Sequence, residues 1–190
     1  MSRRPTGGKK KTTPSGEGGR RLIHVYTGDG KGKTTAALGM AFRACGQGWR
    51  VRMIQFLKGS LKTGEVKICK SLPNFTLVRA GRARWIDPKQ PAPADARLAR
   101  NAFRNAIKDV ASGRYDMVIL DELNMAVDFN LIPVAEVVGM LQAKPDSVEV
   151  VLTGRRAHAD VVRLADYVSE IKEVKHPFPK RAGARKGVEF

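Results

Sequence analysis

Nine consecutive residues carry the most chemical information in the chain: Thr27-Gly28-Asp29-Gly30-Lys31-Gly32-Lys33-Thr34-Thr35. Glycines let successive backbone N–H groups turn inward around anionic oxygens, and a helix that starts where the turn ends adds the positive end of its dipole. The stretch reads as a phosphate-binding P-loop, and all nine residues are candidate nucleotide contacts. Lys33 supplies a point charge within reach of β- and γ-phosphates, and its charge is expected near solvent. The Thr34 hydroxyl is a hard oxygen ligand suited to Mg²⁺. The usual pattern, G-x-x-x-x-G-K-[ST], opens on glycine; here its first position is Thr27. Gly28 and Gly30 are read as supplying the flexibility instead.

A second group lies 87 residues beyond Thr34. Met117-Val118-Ile119-Leu120 is fully apolar and ends in Asp121-Glu122. A carboxylate at the end of a central strand can hold Mg²⁺ beside the P-loop threonine. Thr34, Asp121 and Glu122 are therefore the candidate metal set. Lys33 and Glu122 are the candidate catalytic residues, with Glu122 holding the metal or orienting a water. Arg155 follows Leu152-Thr153-Gly154 and is a candidate phosphate contact. Trp85, in a proline-rich loop, is either a core plug or a cover over a ligand. His24 reads as a packed strand residue, and His158 as a ligand contact or a surface residue. His176, before Pro177, reads as structural. Together these groups establish binding of a nucleoside triphosphate with Mg²⁺. They leave ATP hydrolysis, phosphoryl transfer and attack elsewhere on ATP open.

Such residues need a scaffold that brings distant loops together. Leu22–Tyr26 is a short β-branched strand, and Ala36–Ala44 continues into a helix closed by Gly46 and Gly48. Further strands are predicted at 51–56, 75–78, 117–120, 148–152 and 167–171. Helices are predicted at about 65–72, 95–112, 134–142 and 160–165. Prolines 88, 91 and 93 with Gly81 make 80–93 irregular. Strands that alternate with helices and are apolar on both faces form a mostly parallel sheet covered on both sides. The fold class is thus α/β, P-loop NTPase-like of the RecA type. Ligands in such sheets bind at the carboxyl ends of the strands, so the loops at Thr27, Leu57, Asp121 and Thr153 should gather on one edge.

The chain has 190 residues, 42% of them hydrophobic, enough for one domain with a sizeable core. Residues 1–20 are rich in Gly, Lys, Ser, Thr and Pro and are expected to form a disordered basic tail, with the folded domain spanning 21–190. No apolar run is long enough to span a membrane, and the basic N-terminus lacks the apolar core of a secretory signal. With Cys45 and Cys69 as its two cysteines, neither paired by spacing, the chain is expected to keep reduced thiols in the cytoplasm. The net charge is +17, with excess cations concentrated in the two end segments. That charge raises nucleic acid as a partner, but the tail has no interleaved aromatics, and a basic tail plus anion-handling pockets is the preferred reading.

The motifs also occur in an order that resembles the P-loop ATP:corrinoid adenosyltransferases. The resemblance runs from about Arg21 to Phe190. Besides the P-loop it rests on Gln55-Phe56-Leu57-Lys58-Gly59, Gly64-Glu65, Ile119-Leu120-Asp121-Glu122-Leu123-Asn124 and Leu152-Thr153-Gly154-Arg155. Toward the end it adds Leu164-Ala165-Asp166, Lys175-His176-Pro177-Phe178 and Lys186-Gly187-Val188-Glu189-Phe190. The P-loop without its first glycine is a trait of that family. Where the family often has Gly-Phe-Thr-Trp, this chain has Arg82-Ala83-Arg84-Trp85; Asp29 and Arg185 stand where Asn and Gln are frequent. The resemblance implies transfer of the 5′-deoxyadenosyl group of ATP to the Co(I) of a reduced corrinoid, with Mg²⁺ and release of triphosphate. It also implies Trp85 near the corrin, a reduced flavoprotein as electron donor and a homodimer. The alternatives are a P-loop ATPase or kinase, and a nucleic-acid-binding ATPase.

Overall fold

The computed structural model describes residues 19–59, 63–83, 86–88, 90–176 and 185–188. The expected basic tail and Trp85 lie outside them, the tail but for Gly19 and Arg20. Six strands, β1 (Ile23–Thr27), β2 (Val51–Phe56), β3 (Phe75–Ala80), β4 (Met117–Asp121), β5 (Glu149–Thr153) and β6 (Tyr167–Glu170), form one sheet in the order β3-β2-β4-β5-β1-β6. Every pairing is parallel. The helices are α1 (Lys33–Gly46), α2 (Gly64–Ile68), α3 (Pro93–Ala111), α4 (Leu123–Asp128), α5 (Val134–Gln142) and α6 (Ala159–Leu164). A 3₁₀ turn at Cys69–Ser71 follows α2.

The strand alternation divides the core in two. Val51, Met53, Met117, Ile119 and Val151 face Ala37, Ala41 and Ala44 of α1, whose small side chains let that helix sit close to the sheet. Ile54, Phe56, Val118, Leu120, Val150 and Leu152 face Phe103 and Ala106 of α3, Leu123 of α4, and Val137 and Leu141 of α5. The central strands β2, β4 and β5 are almost wholly buried. The edge strand β6 pairs with β1 and is exposed along its length.

The expected α/β class, covered on both faces, is what the chain adopts. Two boundaries and one helix differ from the reading of the sequence. Helix α3 begins at Pro93 rather than near Asp95, because proline is suited to the first helical position, where no N–H partner is needed. Strand β3 runs on to Ala80. Helix α4 was not predicted: it is six residues long, too short to show a period, and it starts directly behind Glu122. Among the described residues no helix is long and apolar enough to cross a membrane.

Candidate active site at the carboxyl edge of the sheet

The parallel register brings the distant groups together. Gln55 on β2 lies opposite Asp121 on β4, and Tyr26 on β1 lies opposite Thr153 on β5. The loops after β1, β2, β4 and β5 therefore open on one edge, as the sequence requires.

Asp121 is the hub. It is fully buried, and its Oδ1 accepts hydrogen bonds from the Thr34 hydroxyl at 2.8 Å and the Thr153 hydroxyl at 2.7 Å. Its Oδ2 accepts from Lys58 Nζ at 2.6 Å and from Gln55 Nε2 at 3.1 Å. Lys58 Nζ also donates to Thr34 Oγ1 at 3.2 Å. The ion pair and hydrogen bonds offset the cost of burying the Asp121 charge.

Glu122 sits next to this hub in the left-handed region, at φ 62°, a conformation uncommon for a residue with a side chain. Its own N–H donates to Thr153 Oγ1 at 3.0 Å, which holds the turn. Its carboxylate accepts no hydrogen bond among the described residues, so its lone pairs remain open to a ligand. Burial raises the Glu122 pKa, and the charge of Asp121 raises it further, against the opposing pull of Lys58, Lys33 and Arg155.

Lys33 departs from the expectation of a solvent-near charge. It is 8% exposed, because it is the first residue of α1 and folds back under the loop. Its Nζ donates to the carbonyl oxygens of Gly28 at 2.6 Å and Gly30 at 2.7 Å. Burial lowers its pKa, and Arg155 lowers it further, against Glu122 and Asp29. Arg155 stands at the mouth, half exposed, 3.8 Å from the Asp29 carboxylate. Asp29, Lys31 and Thr35 are exposed around the loop.

Of the two glycines read as supplying flexibility, Gly28 takes a positive φ and Gly30 does not, and both also meet a constraint that the sequence did not suggest. A Cβ on Gly28 would lie 2.5 Å from the Ile171 carbonyl oxygen, and one on Gly30 would lie 2.6 Å from that of Lys172. The backbone behind β6 is hydrogen-bonded to the loop, Gly30 N–H to Ile171 O at 2.7 Å and Ile171 N–H to Thr27 O at 2.9 Å. Both glycines thus admit a neighbouring strand of backbone. The left-handed twist that only glycine adopts readily falls at Gly28 and at Gly32, with φ of 90° and 124°. Thr27, at the position where glycine is usual, accepts a hydrogen bond on Oγ1 from Ala157 N–H at 3.1 Å. Its side chain ties the P-loop strand to the loop that carries Arg155.

The structure therefore brings Lys33, Thr34, Asp121 and Glu122 into one cluster, with Arg155 at its rim. It adds residues to which no role had been assigned: Lys58, Gln55, Thr153 and Arg79. Arg79 Nε donates to Gln55 Oε1 at 3.0 Å, and its guanidinium reaches the Gly59 carbonyl at 3.2 Å and also Thr63. Gln55, Lys58 and Thr153 lie in sequence blocks that carry the family resemblance, without a role attached, and for Arg79 the available signal was its place on a strand. His158 caps α6, its Nδ1 accepting from Asp160 N–H at 3.2 Å. His24 bonds to Glu149 and stacks on Tyr167 at 4.9 Å, a packed residue as expected.

A hydroxyl and two carboxylates are hard oxygen donors of the kind that hold Mg²⁺ with phosphates and water completing the shell. Thr34, Asp121 and Glu122 fit that ion. The family described as ATP:corrinoid adenosyltransferase BtuR/CobO/CobP matches residues 19–190. The chain belongs to this family. It is 39% identical over 171 residues to the corrinoid adenosyltransferase of Escherichia coli K12, covering 90% of this chain and 86% of that protein. It is 38% identical to the corrinoid adenosyltransferase CobA of Salmonella typhimurium over the same shares. It is 40% identical over 174 residues to the corrinoid adenosyltransferase of a Sinorhizobium species, covering 89% of this chain and 80% of that one. As a corrinoid adenosyltransferase family member the chain is an enzyme, a transferase.

Proposed function

We propose that this adenosyltransferase moves the 5′-deoxyadenosyl group of ATP to the Co(I) centre of a reduced corrinoid. Cobalt donates an electron pair to C5′, the C5′–O bond breaks, and the pair leaves with triphosphate. Cobalt ends as an alkylated Co(III). Co(I) is itself the nucleophile, so the protein has no proton to remove. Its work is to position C5′, to stabilise a highly charged leaving group and to keep water away. The P-loop N–H groups, Lys33, Lys58 and Arg155 surround the leaving group with positive charge. Thr34, Asp121 and Glu122 would hold Mg²⁺, which supplies further charge neutralisation of the phosphates. Trp85 is assigned to the corrin, with Ala83 where the family often has phenylalanine. A reduced flavoprotein as electron donor, a homodimer and a cytoplasmic location complete the reading.

One observation carries it: the cluster of Lys33, Thr34, Lys58, Asp121 and Glu122 at the carboxyl edge, within a chain that matches the family over 19–190. The test is incubation of the full chain with ATP, Mg²⁺ and chemically reduced corrinoid in the dark. The corrinoid spectrum should change to that of the alkylated form, and intact triphosphate should appear in equal amount. ADP or a phosphorylated acceptor in its place would favour the ATPase or kinase alternative.

A further inference from the structure

The lone pairs of Asp121 are fully used. An ionised carboxylate offers about four lone-pair directions, and Asp121 receives Thr34, Thr153, Lys58 and Gln55. A metal ion can reach it only by displacing a donor. Thr153 and Gln55 are completely buried on strands, and Gln55 is held from behind by Arg79. Thr34 sits in the first turn of α1 and keeps its oxygen at the site whichever way its hydroxyl turns. Lys58 differs from all three. It reaches in from a loop on a flexible stem, with 27% of its side chain exposed.

The Lys58 ammonium also bridges the two oxygens assigned to the metal, 3.2 Å from Thr34 Oγ1 and 2.6 Å from Asp121 Oδ2. An ammonium and a divalent cation repel each other strongly at such separations. The backbone that carries Lys58 packs closely against residues 81–83. A Cβ on Gly59 would meet Arg82 C at 2.2 Å, and one on Gly81 would meet Leu57 C at 2.4 Å. The exchange at the site is thus assigned to a swing of the Lys58 side chain on its flexible stem.

We propose that Lys58 is the resident counter-cation of the Thr34–Asp121 pair. It keeps free divalent metal out and yields its place when a polyphosphate brings both the metal and new oxygens for the displaced ammonium. The inference rests on the reading of Thr34 and Asp121 as metal-binding residues. It makes Lys58 a positioning residue that couples metal entry to nucleotide entry.

Mn²⁺ binding to the full chain, followed by the loss of the free-ion paramagnetic resonance signal, tests this with and without ATP. Lys58→Met should bind Mn²⁺ without nucleotide about tenfold more tightly than the wild type, because a competing charge is gone. Lys58→Arg should remain like the wild type. A residue with a merely structural role would not gain metal affinity when removed. Equal or weaker binding by Lys58→Met overturns the proposal, and Lys58→Gln carries the same comparison should the methionine variant fail to fold. Asp121→Asn separates the two readings. If it leaves ATP-assisted Mn²⁺ binding unchanged, the metal assignment fails and the proposal with it. If it abolishes that binding while Lys58→Met matches the wild type, the counter-cation role fails alone.

Discussion

Asp121 and Glu122 are adjacent in sequence and opposite in environment. Asp121 is buried with every lone pair used. Glu122, partly buried beside it on a left-handed backbone, has a carboxylate that accepts no hydrogen bond among the described residues. Its raised pKa has a definite consequence for stability. The folded state binds the proton more tightly than the unfolded state, so this contribution to stability falls as pH rises from the ordinary carboxylate range through the raised value. Glu122→Gln removes that penalty. The variant is expected to melt at a higher temperature than the wild type at neutral pH without metal, with the difference vanishing in acid. Its ATP-assisted Mg²⁺ affinity should fall by about tenfold or more, because an amide is a poor ligand for a hard cation. Thermal melts across pH, paired with metal titrations, check both. A lower melting temperature at neutral pH would mean that Glu122 is stabilised as an anion. At this scale the sequence was readable where chemistry fixes spacing, as with Gly32-Lys33-Thr34. Lys58 and Gln55 were opaque because their partner is set by the register of β2 on β4.

Elements show the same division. Strands β1, β2, β4 and β5 and helices α1 and α5 were legible because their apolar residues recur at the period of the structure they adopt. Helix α4 was not, being a single short turn region ordered by contacts of Leu123 and Ala126 with the core. The packing of the β6 extension on the P-loop was also hidden, since a glycine for flexibility and a glycine for close approach look alike in sequence. They separate by mutation. Gly30→Ala places a methyl 2.6 Å from the Lys172 carbonyl oxygen, so one backbone must move. It should lose about 1–3 kcal/mol of stability and weaken ATP binding. Gly39→Ala, in α1 with nothing within 4 Å of its Cβ, should gain roughly 0.4–1 kcal/mol and leave ATP binding alone. Denaturant melts and ATP titrations on the pair decide this. If Gly30→Ala matches Gly39→Ala, the Ile171–Lys172 segment does not brace the loop.

For the whole molecule, the parallel sheet turns four loops separated by long stretches of sequence into one site, with three cations near it. Lys58 pairs with Asp121, Lys33 folds back under the P-loop, and Arg155 stands at the mouth beside Asp29. That arrangement suits a leaving group that departs whole with its charge. In a phosphoryl-transfer enzyme ATP is attacked at the γ-phosphorus and its β–γ bridge is cleaved. In an adenosyltransferase ATP is attacked at C5′, so the β–γ bridge never breaks. An ATP analogue with a methylene β–γ bridge should therefore support Co–C bond formation with reduced corrinoid, slowed chiefly through altered phosphate contacts. The chain alone should hydrolyse ATP only slowly, because attack by Co(I) needs no activated water. Both are read from the corrinoid spectrum and from chromatography of the nucleotide products. An analogue that binds competitively with ATP and yields no alkylated corrinoid, alongside ADP and orthophosphate formed from ATP in step with turnover, would show that the β–γ bond is the one that breaks.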